Sequence, residues 1–289
     1  MTAAIPAMPP PAVHRPPIGA RLSRAALPVF TAAAVVYLFL PIAVMIAFSF
    51  NDPRGRQNIT WQGFTFENYV DVWSRPDITG PMTSSLIVAV LATVIATILG
   101  TLIGLALTRY EFRGRGALNL LVYVPMATPE VILGASLLAL WVSVDVQRGL
   151  ATIIIAHVMF CISFVVVTIR ARLAGFNRTL EEAAMDLGAD ELTTFRKVTL
   201  PLIFPGIMAA ALLSFALSID DYVITAFVAG QTTTFPLWVY GASRFGVPPE
   251  VNVLGTLIFA AAFIFILAQI IWARRREAAH RSVATEANP

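Results

Sequence analysis

The sequence predicts an all-α, polytopic membrane protein with six transmembrane helices. Of its 289 residues, 57% are hydrophobic and only 13% are charged, whereas roughly a quarter of an ordinary soluble domain is charged. Several runs of the chain also reach the roughly 20 mostly apolar residues that a helix needs to cross a bilayer. Together these observations exclude a soluble globular domain.

Six apolar runs follow one another along the chain. The predicted spans cover residues 25–51, 84–107, 118–144, 150–169, 203–226 and 253–272. They leave no room for a large globular domain. We therefore predict a disordered N-terminal tail over residues 1–24, a transmembrane domain over 25–273 and a second tail over 274–289. The Pro-rich start lacks a compact apolar region with a cleavage site, so we interpret it as a tail before an uncleaved first span.

The basic residues predict the orientation, because cytoplasmic loops of membrane proteins carry an excess of Lys and Arg. Five of the 20 basic residues fall on one side of the predicted spans: Arg54, Arg56, Arg75, Arg148 and Arg244. The other fifteen fall on the opposite side: Arg15, Arg21, Arg24, Arg109, Arg113, Arg115, Arg170, Arg172, Arg178, Arg196, Lys197, Arg274, Arg275, Arg276 and Arg281. Both termini and the loop between the fourth and fifth spans are therefore predicted to be cytoplasmic.

That cytoplasmic loop, residues 178–201, is a polar segment between two long apolar runs. Glu181 to Leu187 favours a helix with acids in its first turn, and Gly188 permits a sharp turn. A second short helix is predicted over residues 190–197, ended by Pro201 and Pro205. On composition alone, the loop is equally well interpreted as a solvated connector that binds nothing.

The spacing inside the loop resembles a known signature. Glu182-Ala183-Ala184 is followed by three residues, Gly188, nine residues, Val198, one residue and Leu200-Pro201. This pattern resembles the EAA loop of permease subunits of ATP-binding cassette importers, with Val198 in place of the commoner Ile. The resemblance implies the type I importer permease fold in the bacterial inner membrane. The residues that it implies for contact with the ATPase are Glu181, Glu182, Ala183, Ala184, Gly188, Leu200 and Pro201.

The same resemblance implies the partners and the source of energy. Two ATPase subunits, a second permease that is a different chain, and a periplasmic binding protein are expected. This chain has no Gly-rich loop ending in Gly-Lys-Ser/Thr, and its one lysine, Lys197, follows Arg196. We therefore expect no enzyme activity and no cofactor in this chain, with ATP and magnesium bound by the partner ATPase.

Three acids interrupt the apolar runs: Glu130 in the third, and Asp220 and Asp221 in the fifth. An ionisable residue at bilayer depth is costly, so it indicates function by default. At about 1.5 Å per residue, continuous helices would place Glu130 and Asp220 at similar depths, ~20 Å from the cytoplasmic ends. All three carboxylates would then face one water-filled cavity. The alternative is that Asp220 and Asp221 only reach the outer interface and that Glu130 caps a helix broken at Pro129.

A carboxylate cluster of this kind suits a cationic cargo, and nearby aromatics add cation–π contacts. The candidate aromatics are Tyr222, Trp141 and Phe227. The segments LSIDDYVITAFVAG, TTFPLWVYGASRFGVPPEVN and PMATPEVILG are similar to those of spermidine/putrescine permeases. The resemblance implies a polyamine cargo, with another organic cation, an amino acid derivative or a metal complex left open. A secondary transporter remains a rival, whereas adjacent Asp220 and Asp221 would make a poor catalytic dyad.

Other polar or small residues carry weaker predictions. His157 in the fourth span is expected to be a hydrogen-bonded packing residue, with pH sensing or cargo binding as alternatives. Gly100 and Gly104 are spaced for close helix packing in the second span. Cys161, the single cysteine, is expected in the core. No metal-ligand spacing appears in the sequence.

Overall fold

The computed structural model describes residues 18–55 and 57–286, with side chains described for 26–55 and 57–271. The helices are α1 Ile18–Phe48, α2 Glu67–Asp71, α3 Pro76–Arg109, α4 Arg115–Ala127, α5 Glu130–Ser143, α6 Leu150–Ala174, α7 Thr179–Asp186, α8 Glu191–Thr194, α9 Leu200–Ile219, α10 Val223–Val228, α11 Phe235–Ser243 and α12 Pro249–Glu286. A 3₁₀ turn, Val72–Ser74, follows α2, and a π-helical turn, Phe195–Thr199, joins α8 to α9. The described residues form no extended strand, only one isolated bridge between Asn51 and Phe64.

The six-span prediction is confirmed, but helices in the third and fifth spans are broken. Within the described residues, five helices are long and apolar enough to cross a bilayer, and α4 and α5, bent by 110° at their junction, make a sixth when the pair is counted as one span. The prediction of a continuous third helix is therefore wrong. Pro129 explains the break, because a proline disfavours helical backbone at the residue before it. Thr128 accordingly takes an extended conformation, with φ −82° and ψ 130°.

The first and last helices differ in length from their predicted spans. α1 begins at Ile18, so only residues 18–24 of the predicted disordered tail are described, and they are helical. The rest of that tail, residues 1–17, lies outside the described residues. α12 continues to Glu286, well beyond the predicted end of the sixth span, and only residues 287–289 of the second tail are not described.

The chain divides into two units, of which the larger contains α3 to α11. In this unit α3, α6 and α9 pack on one another, and α5 packs on α10. The predicted close packing at Gly100 and Gly104 is confirmed: a Cβ added to Gly100 would lie 2.6 Å from the Cβ of Val165 on α6. Cys161 lies in the core between these helices with no exposed surface, as predicted.

The smaller unit pairs α1 with α12 and includes the segment Thr60–Asn68. Gly255 allows a close approach, because a Cβ there would lie 2.6 Å from the sulfur of Met45. At the end of α1, the Asn51 side chain accepts a hydrogen bond from the Gln62 backbone N–H and donates one to the Thr60 carbonyl. Many apolar side chains of α1 and α12 are exposed within the chain, as suits helices that face lipid.

Candidate functional site

The first half of the polar loop, residues 178–201, forms the helix that the sequence predicts. Asn177 lies two residues before α7, and its side-chain oxygen accepts hydrogen bonds from the backbone N–H and the hydroxyl of Thr179, the first residue of that helix. Glu181 and Glu182 lie in the first turn, where the helix dipole favours negative charge. Gly188 follows with φ +88°, a left-handed conformation that glycine adopts without a steric penalty.

The second half of the loop differs from its prediction. Asp190 caps α8 by accepting a hydrogen bond from the Thr193 N–H, and its bonds to Thr193 hold the pKa of Asp190 below its usual value. α8 then passes without interruption into α9, giving a helical stretch over Glu191–Ile219. The prediction that Pro201 and Pro205 end a separate short helix is therefore wrong.

The wider π turn explains how the helix tolerates these prolines. The N–H of Leu200 donates to the carbonyl of Phe195, five residues back. This register relieves the clash that the ring of Pro201 would make with the carbonyl four residues before it in a regular α-helix. In the next turn, Arg172 of α6 donates two hydrogen bonds to the Leu202 carbonyl.

Most residues of the EAA pattern are accessible in this chain. Glu182, Ala183, Gly188 and Pro201 are exposed, whereas Ala184 and Leu200 are half-buried. Leu187, between the Ala pair and Gly188, is 90% exposed. An exposed acid beside small residues and a large apolar side chain is a surface on which another protein can pack closely. We call residues 182–188 the loop surface.

Glu181 is the exception, because its carboxylate is buried among residues of this chain. Nη1 of Arg109, at the end of α3, lies 2.6 Å from Oε1 and 2.7 Å from Oε2 of Glu181. The hydroxyl of Thr199, in the π turn, donates a hydrogen bond to the same carboxylate. In the sequence, Arg109 was notable only for its charge, and nothing singled out Thr199. The available signal was the pair of adjacent acids. Neighbouring side chains on a helix point about 100° apart, so Glu181 and Glu182 were not expected to face the same partner.

The intramembrane acids lie at two helix breaks. Glu130 stands in the first turn of α5, directly after the break at Pro129, and it is exposed. α9 ends at Ile219, so the prediction of a continuous fifth helix through residue 226 is wrong. Asp220 is the exposed residue at this second break. Among the described residues, no three His, Cys, Asp or Glu side chains are grouped to hold a metal ion.

Asp221 causes the second break and points inward. Its carboxylate accepts hydrogen bonds from the backbone N–H groups of Ile224 and Thr225 in the first turn of α10, at 3.4 and 2.8 Å. An Asp side chain that binds the backbone in this way offers an alternative to continuing the preceding helix. The side chain is only 6% exposed. Asp221 therefore does not face open space as the prediction of three carboxylates on one cavity requires.

His157 of α6 completes a buried polar cluster with Asp221. Its Nδ1 lies 2.7 Å from the Ser218 hydroxyl, and its Nε2 lies 2.9 Å from the Thr225 hydroxyl and 3.3 Å from Oδ2 of Asp221. The histidine is 3% exposed. This arrangement matches the interpretation of His157 as a hydrogen-bonded packing residue that joins α6, α9 and α10.

Aromatic side chains accompany the exposed acid. The Tyr222 ring contacts the Tyr240 ring of α11 in a tilted arrangement, with centroids 4.5 Å apart and an interplanar angle of 38°. The guanidinium of Arg244 lies 5.1 Å from the centre of the Tyr240 ring. The Tyr240 ring therefore already contacts one cation. Trp141 is half-buried against the core of the larger unit, and its indole nitrogen is buried without a hydrogen-bond acceptor among the described residues.

Comparison with known proteins gives one family and several relatives. The model of the family "Binding-protein-dependent transport system inner membrane component" matches residues 96–275. The spermidine/putrescine transport system permease protein PotC of Escherichia coli (strain K12) is 39% identical over 246 residues, which cover 85% of this chain and 92% of that protein. The putrescine transport system permease protein PotI of the same organism is 38% identical over 244 residues, covering 82% and 85% of the two chains.

Solved structures share the fold at low sequence identity. A chain of a bacterial ABC transporter involved in the import of the acidic polysaccharide alginate matches with a TM-score of 0.64 and 17% identity, covering 89% of this chain and 97% of its own. A chain of the MetNI methionine ABC transporter, in an inward-facing conformation, matches with a TM-score of 0.56 and 19% identity, covering 68% and 95%. The architecture described above is therefore the permease fold of these importers.

Proposed function

This chain belongs to the family of binding-protein-dependent transport system inner membrane components, and on that premise we propose that it forms the transmembrane path for a polyamine such as spermidine or putrescine. It is the permease subunit of an ATP-driven importer and not an enzyme. Its family implies ATPase and binding-protein partners and a place in the bacterial inner membrane.

The observation that carries the cargo proposal is the exposed Asp220 at the break between α9 and α10. It is two residues from Tyr222, whose ring contacts that of Tyr240. A carboxylate beside aromatic faces suits an ammonium group and its methylene chain. Glu130, exposed at the other break, supplies a second carboxylate for a second ammonium group. The extensive likeness to PotC and PotI supports the same cargo class.

We propose that the loop surface docks on the ATPase, with Glu182 as its charged contact. The exposure of Glu182, Ala183 and Leu187 supports this role. ATP and magnesium are then bound by the ATPase, and this chain carries no cofactor. The excess of basic residues in and beside this loop supports a cytoplasmic location for it and for both termini.

We further propose that the second permease is a different chain, so that the membrane part is a heterodimer. The resemblance to polyamine permeases supports that composition. A periplasmic binding protein delivers the cargo to the outer face. Rearrangement of the two permeases around the path then gives alternating access, as in other transporters whose sites lie between membrane bundles.

The test is reconstitution of this chain with its ATPase, second permease and binding protein in liposomes, followed by measurement of ATP turnover with each solute. Spermidine or putrescine is expected to stimulate turnover, whereas a neutral amino acid of similar size is not. Stimulation by an amino acid derivative or a metal complex instead would replace the polyamine with the alternative cargo. Uptake without the ATPase would point to a secondary transporter.

A further inference from the structure

The strongest feature outside the proposed cargo path is the cluster formed by Arg109, Glu181 and Thr199, here called the Glu181 cluster. It joins the end of α3, the first turn of α7 and the π turn that leads into α9. The Arg109 and Glu181 side chains are only 18% and 9% exposed. Buried charged side chains form strong and directional hydrogen bonds when each has a partner of opposite charge.

The surroundings show that this cluster bridges an open space. A cavity of about 590 Å³ lies between the end of α3 and the helices α7 and α8, and both Arg109 and Glu181 line it. α7 packs mainly on α8 and on the π turn, and its backbone has little direct packing on α3. The ion pair therefore provides a direct side-chain link between α7 and the second span.

The cluster is also held in a defined geometry. The Arg109 guanidinium lies 5.3 Å from the centre of the Phe176 ring, which restricts its position from the other side. Thr199 is 1% exposed and lies where the helix changes from α to π register. A displacement of the Glu181 carboxylate therefore acts on the base of the fifth span as well as on the end of the second.

We propose that the Glu181 cluster is the positioning element that transmits movement of the docked loop to the second and fifth spans. This inference rests on the proposed docking of the loop surface on the ATPase. It divides the two adjacent glutamates between two tasks. Glu182, which is exposed, contacts the ATPase, and Glu181, which is buried, carries the resulting displacement into the membrane domain.

The test compares Glu181→Gln with Glu191→Gln in the reconstituted transporter. Glu191 is a matched control, because it is an exposed glutamate that lines the same cavity without belonging to the cluster. In Glu181→Gln, cargo imported per ATP hydrolysed should fall at least about fivefold, the lower end of typical coupling between distant sites. The amount of ATPase that co-purifies should stay unchanged, and Glu191→Gln should keep the wild-type ratio.

A charge exchange tests whether the two charges act as a pair. Arg109→Glu and Glu181→Arg alone should each lower the ratio of import to ATP hydrolysis, and the double variant should recover at least half of it. If a single reversal prevents insertion, Arg109→Lys and Glu181→Gln supply the milder comparison. A wild-type ratio in Glu181→Gln, or a double variant no better than the inserted single variants, would overturn the proposal.

Failure of the docking premise gives a different result. Glu182→Arg is expected to reduce co-purification of the ATPase, which Glu181→Gln does not. If Glu182→Arg leaves both co-purification and import at wild-type levels, the proposed docking contact is wrong. If Glu182→Arg reduces co-purification of the ATPase but Glu181→Gln leaves the ratio of import to ATP hydrolysis unchanged, only the proposed role of the Glu181 cluster is wrong.

Discussion

Asp220 and Asp221 are neighbours in the chain, yet their side chains lie in opposite environments. Asp220 is exposed at the helix break, and Asp221 is buried against His157 and the first turn of α10. Substituting one should change what the protein binds, whereas substituting the other should change how well it folds. The pair therefore places a proposed binding residue beside a structural one.

We expect Asp220→Asn to raise the KM for a diamine or polyamine about tenfold, equivalent to ~1.4 kcal/mol, because one charge–charge contact with the cargo is lost. Asp221→Ala should instead lower the stability of the purified protein by about 1–3 kcal/mol, because it leaves buried donors without an acceptor. Initial uptake rates and thermal melting in detergent measure the two effects. Reversed behaviour, with a changed KM only in Asp221→Ala, would contradict this assignment.

At the level of single elements, prolines show what sequence reasoning can and cannot decide. Pro129 breaks the third span, whereas the helical stretch Glu191–Ile219 continues through Pro201 and Pro205, which were predicted to end a separate short helix. The local chemistry of these residues is the same. The difference comes from contacts around Pro201 that the sequence does not show. A π turn precedes Pro201, and Arg172 of α6 donates a hydrogen bond to the Leu202 carbonyl. Helix existence was predictable from hydropathy. Of the helix breaks, only the one at Pro129 was foreseen, as the alternative to a continuous third helix.

Gly100 sets the distance between α3 and α6. We expect Gly100→Ala to destabilise the protein by about 1–3 kcal/mol, because the new methyl group would overlap Val165 in a closely packed core. Gly80, on the same helix, has open space around the corresponding position, so Gly80→Ala is the matched control and should be neutral or slightly stabilising. Melting temperatures of the two purified variants test the prediction, and equal values would contradict it.

Gly188 sets the angle between the two halves of the loop. Because its φ is +88°, proline, which fixes φ near −65°, cannot take its place without reorganising the turn. Gly188→Pro should therefore insert normally but hydrolyse ATP without import in the reconstituted transporter. Gly188→Asn, whose side chain tolerates the left-handed conformation, should keep most of the coupling. Normal import by Gly188→Pro would show that the turn geometry does not matter for coupling.

For the whole molecule, six spans and the coupling signature were predictable because both are local patterns of hydropathy and spacing. The inward direction of Glu181 and of Asp221 was not, because each depends on partners more than 60 residues away in the chain, Arg109 and His157. A sequence shows that adjacent acids exist but not which one meets a distant base. The orientation of the spans was predicted from a charge count alone, and it stays a prediction.

The predicted orientation can be tested with thiol labelling, because the chain has one cysteine and Cys161 is fully buried. Leu187 is 90% exposed in the proposed cytoplasmic loop, and Phe245 is 83% exposed beside Arg244 on the proposed outer side. A membrane-impermeant maleimide should label Phe245→Cys in spheroplasts and Leu187→Cys only in inside-out vesicles. The wild-type protein is the control for any labelling of Cys161. Added ATPase should then protect Leu187→Cys, because the loop surface is its proposed docking site. Labelling of Leu187→Cys in sealed spheroplasts would show that the predicted orientation is wrong. Labelling that is unaffected by the ATPase would show that the loop surface is not the docking site.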